Sequence, residues 1–143
     1  EDDFNFESAH VIPALIRKFD EAKKDNRPSV EVWGSGRPRR EFIFADDLAG
    51  ACAFVLTNYK EKGHINVGCS LDYSIKELAN VISETVGFKG KIIYNTDKPD
   101  GVKQKLLDST KINSLGWNPK VSLKQGINIT YNWFKEHRGA KHQ

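Results

Sequence analysis

With 143 residues, 38% of them hydrophobic and 29% charged, the chain has the size and balance of one globular domain with one modest core. Its 22 basic and 19 acidic residues leave a net charge of +3, too even for a protein whose main work is neutralising a nucleic-acid backbone, so any anion site must be local. Cys52 and Cys69 stand in no metal-binding or CxxC spacing, and the longest apolar run, Ala49 to Leu56, is far short of a membrane span, so a reduced, soluble, cytoplasmic domain is expected.

Glu1-Asp2-Asp3-Phe4 carries no initiator methionine, no basic n-region and no apolar h-region, which leads to the expectation that the chain begins mid-protein. Val11, Ile12, Leu15, Ile16, Phe19 and Ala22 recur at helical spacing and predict an amphipathic helix over 11–24, with Pro13 tolerated in its first turn. Strands are predicted at Val30 to Trp33 and Glu41 to Phe44, joined by the basic loop Gly34-Ser35-Gly36-Arg37-Pro38-Arg39. Asp46 and Asp47 then signal a helix start, and Leu48, Ala49, Cys52, Ala53 and Leu56 make that helix so apolar that burial is expected. Both cysteines read as small core or near-core residues.

Ile65 to Val67 reads as a short strand. Ser74 and Glu77 have the spacing of a reciprocal capping box, ahead of a helix with Ile75, Leu78, Ile82 and Val86 on its buried face and Gly87 as its stop. A further strand is expected at Lys91 to Tyr94, and irregular chain at Lys98-Pro99-Asp100-Gly101. Asp108 to Leu115 predicts a short helix, and Ser122 with Gln125 opens a last one that runs toward Gly139. About five helices and four strands, without repeats or an internal linker, give a small mixed α/β domain.

No Gly-x-Gly-x-x-Gly turn between a strand and a helix is present to cradle a dinucleotide pyrophosphate; the nearest match, Gly34-x-Gly36, is followed by Pro38 and a strand. Tyr-x-x-x-Lys occurs as Tyr94/Lys98 and Tyr131/Lys135, but Pro99 forbids a helix at the first, and Tyr131 lies on an apolar helix face where an aromatic is normally core. What remains is a set of polar and cationic residues, mostly on irregular segments: His10, Lys18, Trp33, Arg37, Arg39, Arg40, Lys98, Asp100, Lys103 and Lys105. Singly, Lys18 reads as solvated surface and Trp33 as core. Arg39-Arg40 after a glycine loop, with Lys103 and Lys105 after a Pro-Gly loop, makes a pyrophosphate site chemically plausible. His10, just ahead of a helix, is either a packing histidine or a proton donor in a cleft, and spacing does not decide.

Five stretches carry a family resemblance: His10 to Phe19, Val32 to Phe42, Ala45 to Leu48, His64 to Gly68 and Lys98 to Gly101. In order and spacing they resemble the GDP-L-fucose synthase family, extended short-chain dehydrogenase/reductases, and the likeness continues through Lys105 to Asp108, Leu115 to Trp117 and Tyr131 to Phe134. The resemblance implies that residues 1–143 form the C-terminal GDP-sugar-binding domain and that the NADP-binding half is missing. It implies a reaction that converts GDP-4-keto-6-deoxy-D-mannose to GDP-L-fucose by inversion at C3 and C5 and NADPH-dependent reduction at C4. It further implies His10 as epimerisation acid beside the nicotinamide, and Lys18, Trp33, Arg40, Asp100 and Lys105 as substrate contacts. Lys18 stands where the family has arginine. A homodimer of the complete protein is expected, with no metal, nucleic-acid or membrane partner. The competing readings are another nucleotide-sugar epimerase, dehydratase or reductase of the superfamily, and a nucleic-acid module built on Trp33 and Arg37 to Arg40.

Overall fold

The computed structural model describes residues 10–137, so the Glu1 to Phe4 start and the expected helix stop at Gly139 lie outside the described residues. Helix α1 spans Val11–Lys24 as its periodicity predicts, with Leu15, Ile16, Phe19 and Ala22 buried and Pro13 in the first turn. Strand β1, Ser29–Trp33, buries Val30 and Val32 on one face. It pairs in parallel with β4, Lys91–Asn95, in the register Val30↔Ile92 and Trp33↔Asn95. Helix α3, Ile75–Val86, starts from the expected capping box and ends at Gly87 in the left-handed region. It packs on α1 and on the last helix, α5, Leu123–His137, whose Ser122/Gln125 pair also forms.

These elements share one core, in which Phe19, Leu78, Ile82, Val86, Phe88, Ile127 and Phe134 meet. Tyr131 joins it from α5 and donates to the buried Asp20 carboxylate at 3.0 Å, while Lys24 pairs with the same carboxylate at 2.5 Å. The polar handle of a core tyrosine is thereby satisfied and α5 is tied to α1.

A second sheet lies beside the core. Its order is β3-β2-β5, with β2 (Arg39–Glu41) antiparallel to β3 (Asp72–Ser74) and parallel to β5 (Gln104–Lys105). The expected strand Glu41 to Phe44 is therefore displaced toward the N-terminus, and it does not pair with β1: Phe44 is already the N-cap of helix α2, Ala45–Asn58. The short helix α4, Thr110–Ser114, starts two residues after Asp108, because Asp108 Oδ1 accepts from the Thr110 amide at 3.0 Å and holds a turn there.

Two expectations fail together. Helix α2 is apolar but not buried: among its residues only Asp47 and Ala51 are enclosed, Cys52 is exposed rather than near-core, and Leu56 is 83% exposed. Among the described residues α2 has no extended contact with any other helix or strand. Ile65 to Val67 forms no strand either, since no neighbouring strand offers its backbone a ladder. The start of α2 is anchored through Asp47 Oδ2, which accepts from the amides of Lys120 at 3.0 Å and Val121 at 2.8 Å, and its C-cap Tyr59 through its hydroxyl, which accepts from Lys111 at 2.7 Å. No helix among the described residues is long and apolar enough to cross a membrane.

Candidate functional site

Apart from His10, the polar residues singled out in the sequence lie at or near the place where β1 ends and β2 and β5 run side by side. After Trp33 the chain turns at Gly34, with φ +80°, and the next amide and hydroxyl point at the loop before β5: Ser35 N and Oγ donate to the two Asp100 carboxylate oxygens at 2.6 and 2.7 Å. A Cβ at Gly34 would stand 2.5 Å from Asp100 Oδ1, so the close approach of these two loops needs glycine as much as the positive φ does. The Ser35 hydroxyl, then the Ser35 amide, and more weakly the Arg37 charge hold the Asp100 carboxyl below its ordinary range.

Trp33 is 61% exposed, not a core residue, because it occupies the outward face of the last position of β1. Lys18 Nζ from α1 lies 5.1 Å from its ring centroid and Lys98 Nζ from the opposite loop 5.4 Å, so the indole is flanked by two cations. Lys18 also donates to the Glu31 carbonyl at 3.3 Å.

Arg39 and Arg40, adjacent in sequence, diverge because successive side chains of a strand point to opposite faces. Arg39 is committed to the fold: Nε donates to Asp72 Oδ1 at 2.7 Å, Nη2 to the Asp72 carbonyl at 2.8 Å and Nη1 to Glu77 at 3.3 Å. Gln104 completes this clamp from β5, donating to the other Asp72 oxygen at 2.5 Å. Gln104 first, then Arg39, lowers the Asp72 pKa, and hydrogen bonding to Asp72 raises that of Arg39. Of the cations expected at a pyrophosphate site, Arg39 is thus taken up within the fold. Arg40 instead faces Lys105 across β2 and β5, the two being register partners, and strands so paired run about 5 Å apart. Its Nη1 donates to the Arg39 carbonyl at 2.7 Å, while Nη2 lies beside Gly101. A cleft of about 330 Å³ is lined by Arg37, Pro38, Arg39, Asp100, Gly101, Lys103 and Gln104; it opens on the Arg39 and Gln104 face of the strands, and Arg40 and Lys105 do not line it.

His10 is the N-cap of α1, exposed, and its side chain makes no capping bond. It stands two turns from Lys18, about 12 Å along the helix. Of the two Tyr-x-x-x-Lys pairs neither forms a catalytic arrangement. The Tyr131 hydroxyl is engaged by Asp20 and Lys135 lies over the Tyr131 ring, while Tyr94 is set against Gly36 with its hydroxyl enclosed, and Lys98 is at Trp33. The described residues do not fit a dinucleotide pyrophosphate either, because the Gly34-x-Gly36 loop leads into β2 and no helix N-terminus follows it. No cluster of metal-ligating side chains occurs among them.

Sequence reasoning missed Ser35, Asp72 and Gln104, which set the positions of Asp100 and Arg39. Their partners lie 65, 33 and 32 residues away in the bonds concerned, beyond the reach of local spacing.

Residues 2–68 match the NAD dependent epimerase/dehydratase family. Over 93% of its length the chain is 50% identical to GDP-L-fucose synthase 1 of Arabidopsis thaliana, and over 96% it is 44% identical to the GDP-L-fucose synthase of Escherichia coli. It superimposes over 99% of its length, with a TM-score of 0.90 and 29% identity, on a GDP-L-fucose synthetase from Naegleria fowleri bound to NADP. The chain spans 41%, 46% and 45% of these three proteins, respectively. In sequence and in backbone alike, the chain is similar to GDP-L-fucose synthases, and it spans less than half the length of each.

Proposed function

We propose that residues 1–143 are the GDP-sugar-binding domain of an NADP-dependent GDP-L-fucose synthase and act together with a cofactor-binding half. The observation that carries this reading is the Arg40/Lys105 pair on adjacent strands, beside Trp33 with its two flanking lysines. Two cationic side chains that leave neighbouring strands about 5 Å apart suit the two phosphates of a nucleoside diphosphate, and charge-assisted bonds are the strong ones available to such a ligand. Asp100, Trp33 and Lys18 complete the substrate contacts, Asp100 also holding the Gly34 loop against the loop before β5. Firm binding of the remote diphosphate holds the sugar while its centres invert.

The reaction is conversion of GDP-4-keto-6-deoxy-D-mannose to GDP-L-fucose by C3 and C5 epimerisation and C4 reduction. The ketone acidifies the adjoining C–H bonds, and His10 returns a proton to the carbon being inverted. An exposed imidazole not used to cap its helix is suited to that role. NADPH, held mainly by the other half with His10 beside its nicotinamide, would supply the hydride. The apolar outer side of α2 is the surface on which that half docks, and the complete protein is a cytoplasmic homodimer.

Thermal melting of the chain with GDP, UDP and dTDP tests the nucleotide class. A rise in melting temperature with GDP well above that with the pyrimidine nucleotides is expected. An equal or larger rise with UDP or dTDP would favour another nucleotide-sugar enzyme of the superfamily.

A further inference from the structure

Glu41, the last residue of β2, carries a carboxylate whose partners are all backbone amides. Its Oε1 accepts from Cys69 at 2.7 Å and Ser70 at 2.8 Å, and its Oε2 accepts from Leu107 at 3.1 Å. Ser70 has φ +55°, and the turn from Gly68 wraps so closely that a Cβ at Gly68 would collide with the carboxylate. Among the described residues no lysine, arginine or histidine pairs with Glu41. An anion satisfied only by N–H groups sits in a backbone nest, with its charge not cancelled by any cation.

The location gives this nest its meaning. Glu41 follows Arg40, and Leu107 is two residues beyond Lys105; the ladder between β2 and β5 ends at the Arg40↔Lys105 pair. A two-residue strand has little ladder of its own, and the Glu41 side chain continues the attachment where the ladder stops. An uncancelled carboxylate one residue from an anion site would oppose diphosphate binding by charge alone. Its presence there is explained by geometry.

We propose that Glu41 is a positioning residue: by binding the Leu107 amide it keeps Lys105 opposite Arg40 and so sets the spacing of the two cations for a diphosphate. The inference rests on the reading of that pair as the diphosphate site.

The test is calorimetric titration of the chain with GDP, at a temperature where circular dichroism shows each variant folded. Glu41→Gln is isosteric but can turn an N–H₂ group toward one set of amide donors, and Gly68→Ala displaces the carboxylate without changing any charge. Because the collision at Gly68 is with the far end of a side chain, the backbone need not move. Both are expected to weaken GDP binding about tenfold, the scale of one charge-assisted contact out of place. Arg40→Ala and Lys105→Ala serve as references and should weaken it at least as much. If the references lose affinity while folded Glu41→Gln and Gly68→Ala bind GDP as before or more tightly, Glu41 is only a stabilising residue and the inference is overturned. If all four bind GDP normally, the diphosphate site itself is misassigned and the inference falls with it.

Discussion

At adjacent positions of one strand, Arg39 commits its guanidinium to Asp72 and Glu77, whereas Arg40 faces Lys105 and the loop at Gly101. Replacing each by alanine should therefore separate binding from stability. Arg40→Ala is expected to weaken GDP binding by about 1.5–3 kcal/mol with little change in melting temperature, as for a hydrogen bond to a charged group. Arg39→Ala should lower the melting temperature, by leaving the buried Asp72 without its cation, and affect GDP binding less; titration and melting of both variants check this. For His10 the proposed chemistry predicts a loss of rate, not of affinity. In the complete enzyme His10→Gln keeps a hydrogen-bonding tip but supplies no titratable proton, and should slow epimerisation by about 10²- to 10⁴-fold. Less deuterium would be incorporated at the inverted carbons from heavy water. Full inversion at the normal rate, followed by NMR of the product, would remove His10 from the mechanism.

At the scale of elements, α1, α3 and their caps were legible because their signals are local: a 3.6-residue apolar period, Ser74 with Glu77, and Gly87 as a stop. β2 was not, since Phe42 to Phe44 has the composition of a strand while the partners that decide, Tyr73 and Lys105, are remote. The candidate site followed the same division. Arg40, Lys105, Trp33 and Asp100 stood out by residue type and family likeness, whereas the committed state of Arg39 and the roles of Ser35 and Glu41 depend on contacts between distant segments. These contacts carry a pH dependence. Asp72, Asp100 and Glu77 are held below ordinary carboxylate values by Gln104, Ser35 and Ser74 first of all. Between the folded and unfolded pKa values the unfolded chain binds more protons, so the stability these groups contribute is complete above about pH 4 and is lost as pH falls through the lower folded values. Melting temperature should accordingly fall in the acid limb below about pH 4 through these groups, and Asp100→Asn should make that limb shallower.

Across the whole molecule the anomaly is α2, with Leu48, Ala49, Cys52, Ala53 and Leu56 exposed along one side of a helix whose only charges are Asp46 and Asp47. Uncovered, such a stripe drives self-association. Leu48→Glu with Leu56→Lys is expected to reduce light scattering of the isolated chain at unchanged melting temperature, since neither residue belongs to the core; a large fall in melting temperature would show that α2 supports the fold after all. The parallel pairing of β1 with β4 has a different consequence, in time. Ser29 meets Lys91, so the chain over 34–90, α2 included, must be looped out before the two strands can join. The entropy of closing so long a loop grows only slowly with length, but contacts between remote segments delay the transition state. Docking of α1 on α3 closes nearly the same loop, residues 25–74, so the helix pair and the strand pair are expected to form together. Trp33, opposite Asn95 at the end of that pair, reaches its final surroundings only once this loop has closed, and in refolding the binding surface is completed together with the core.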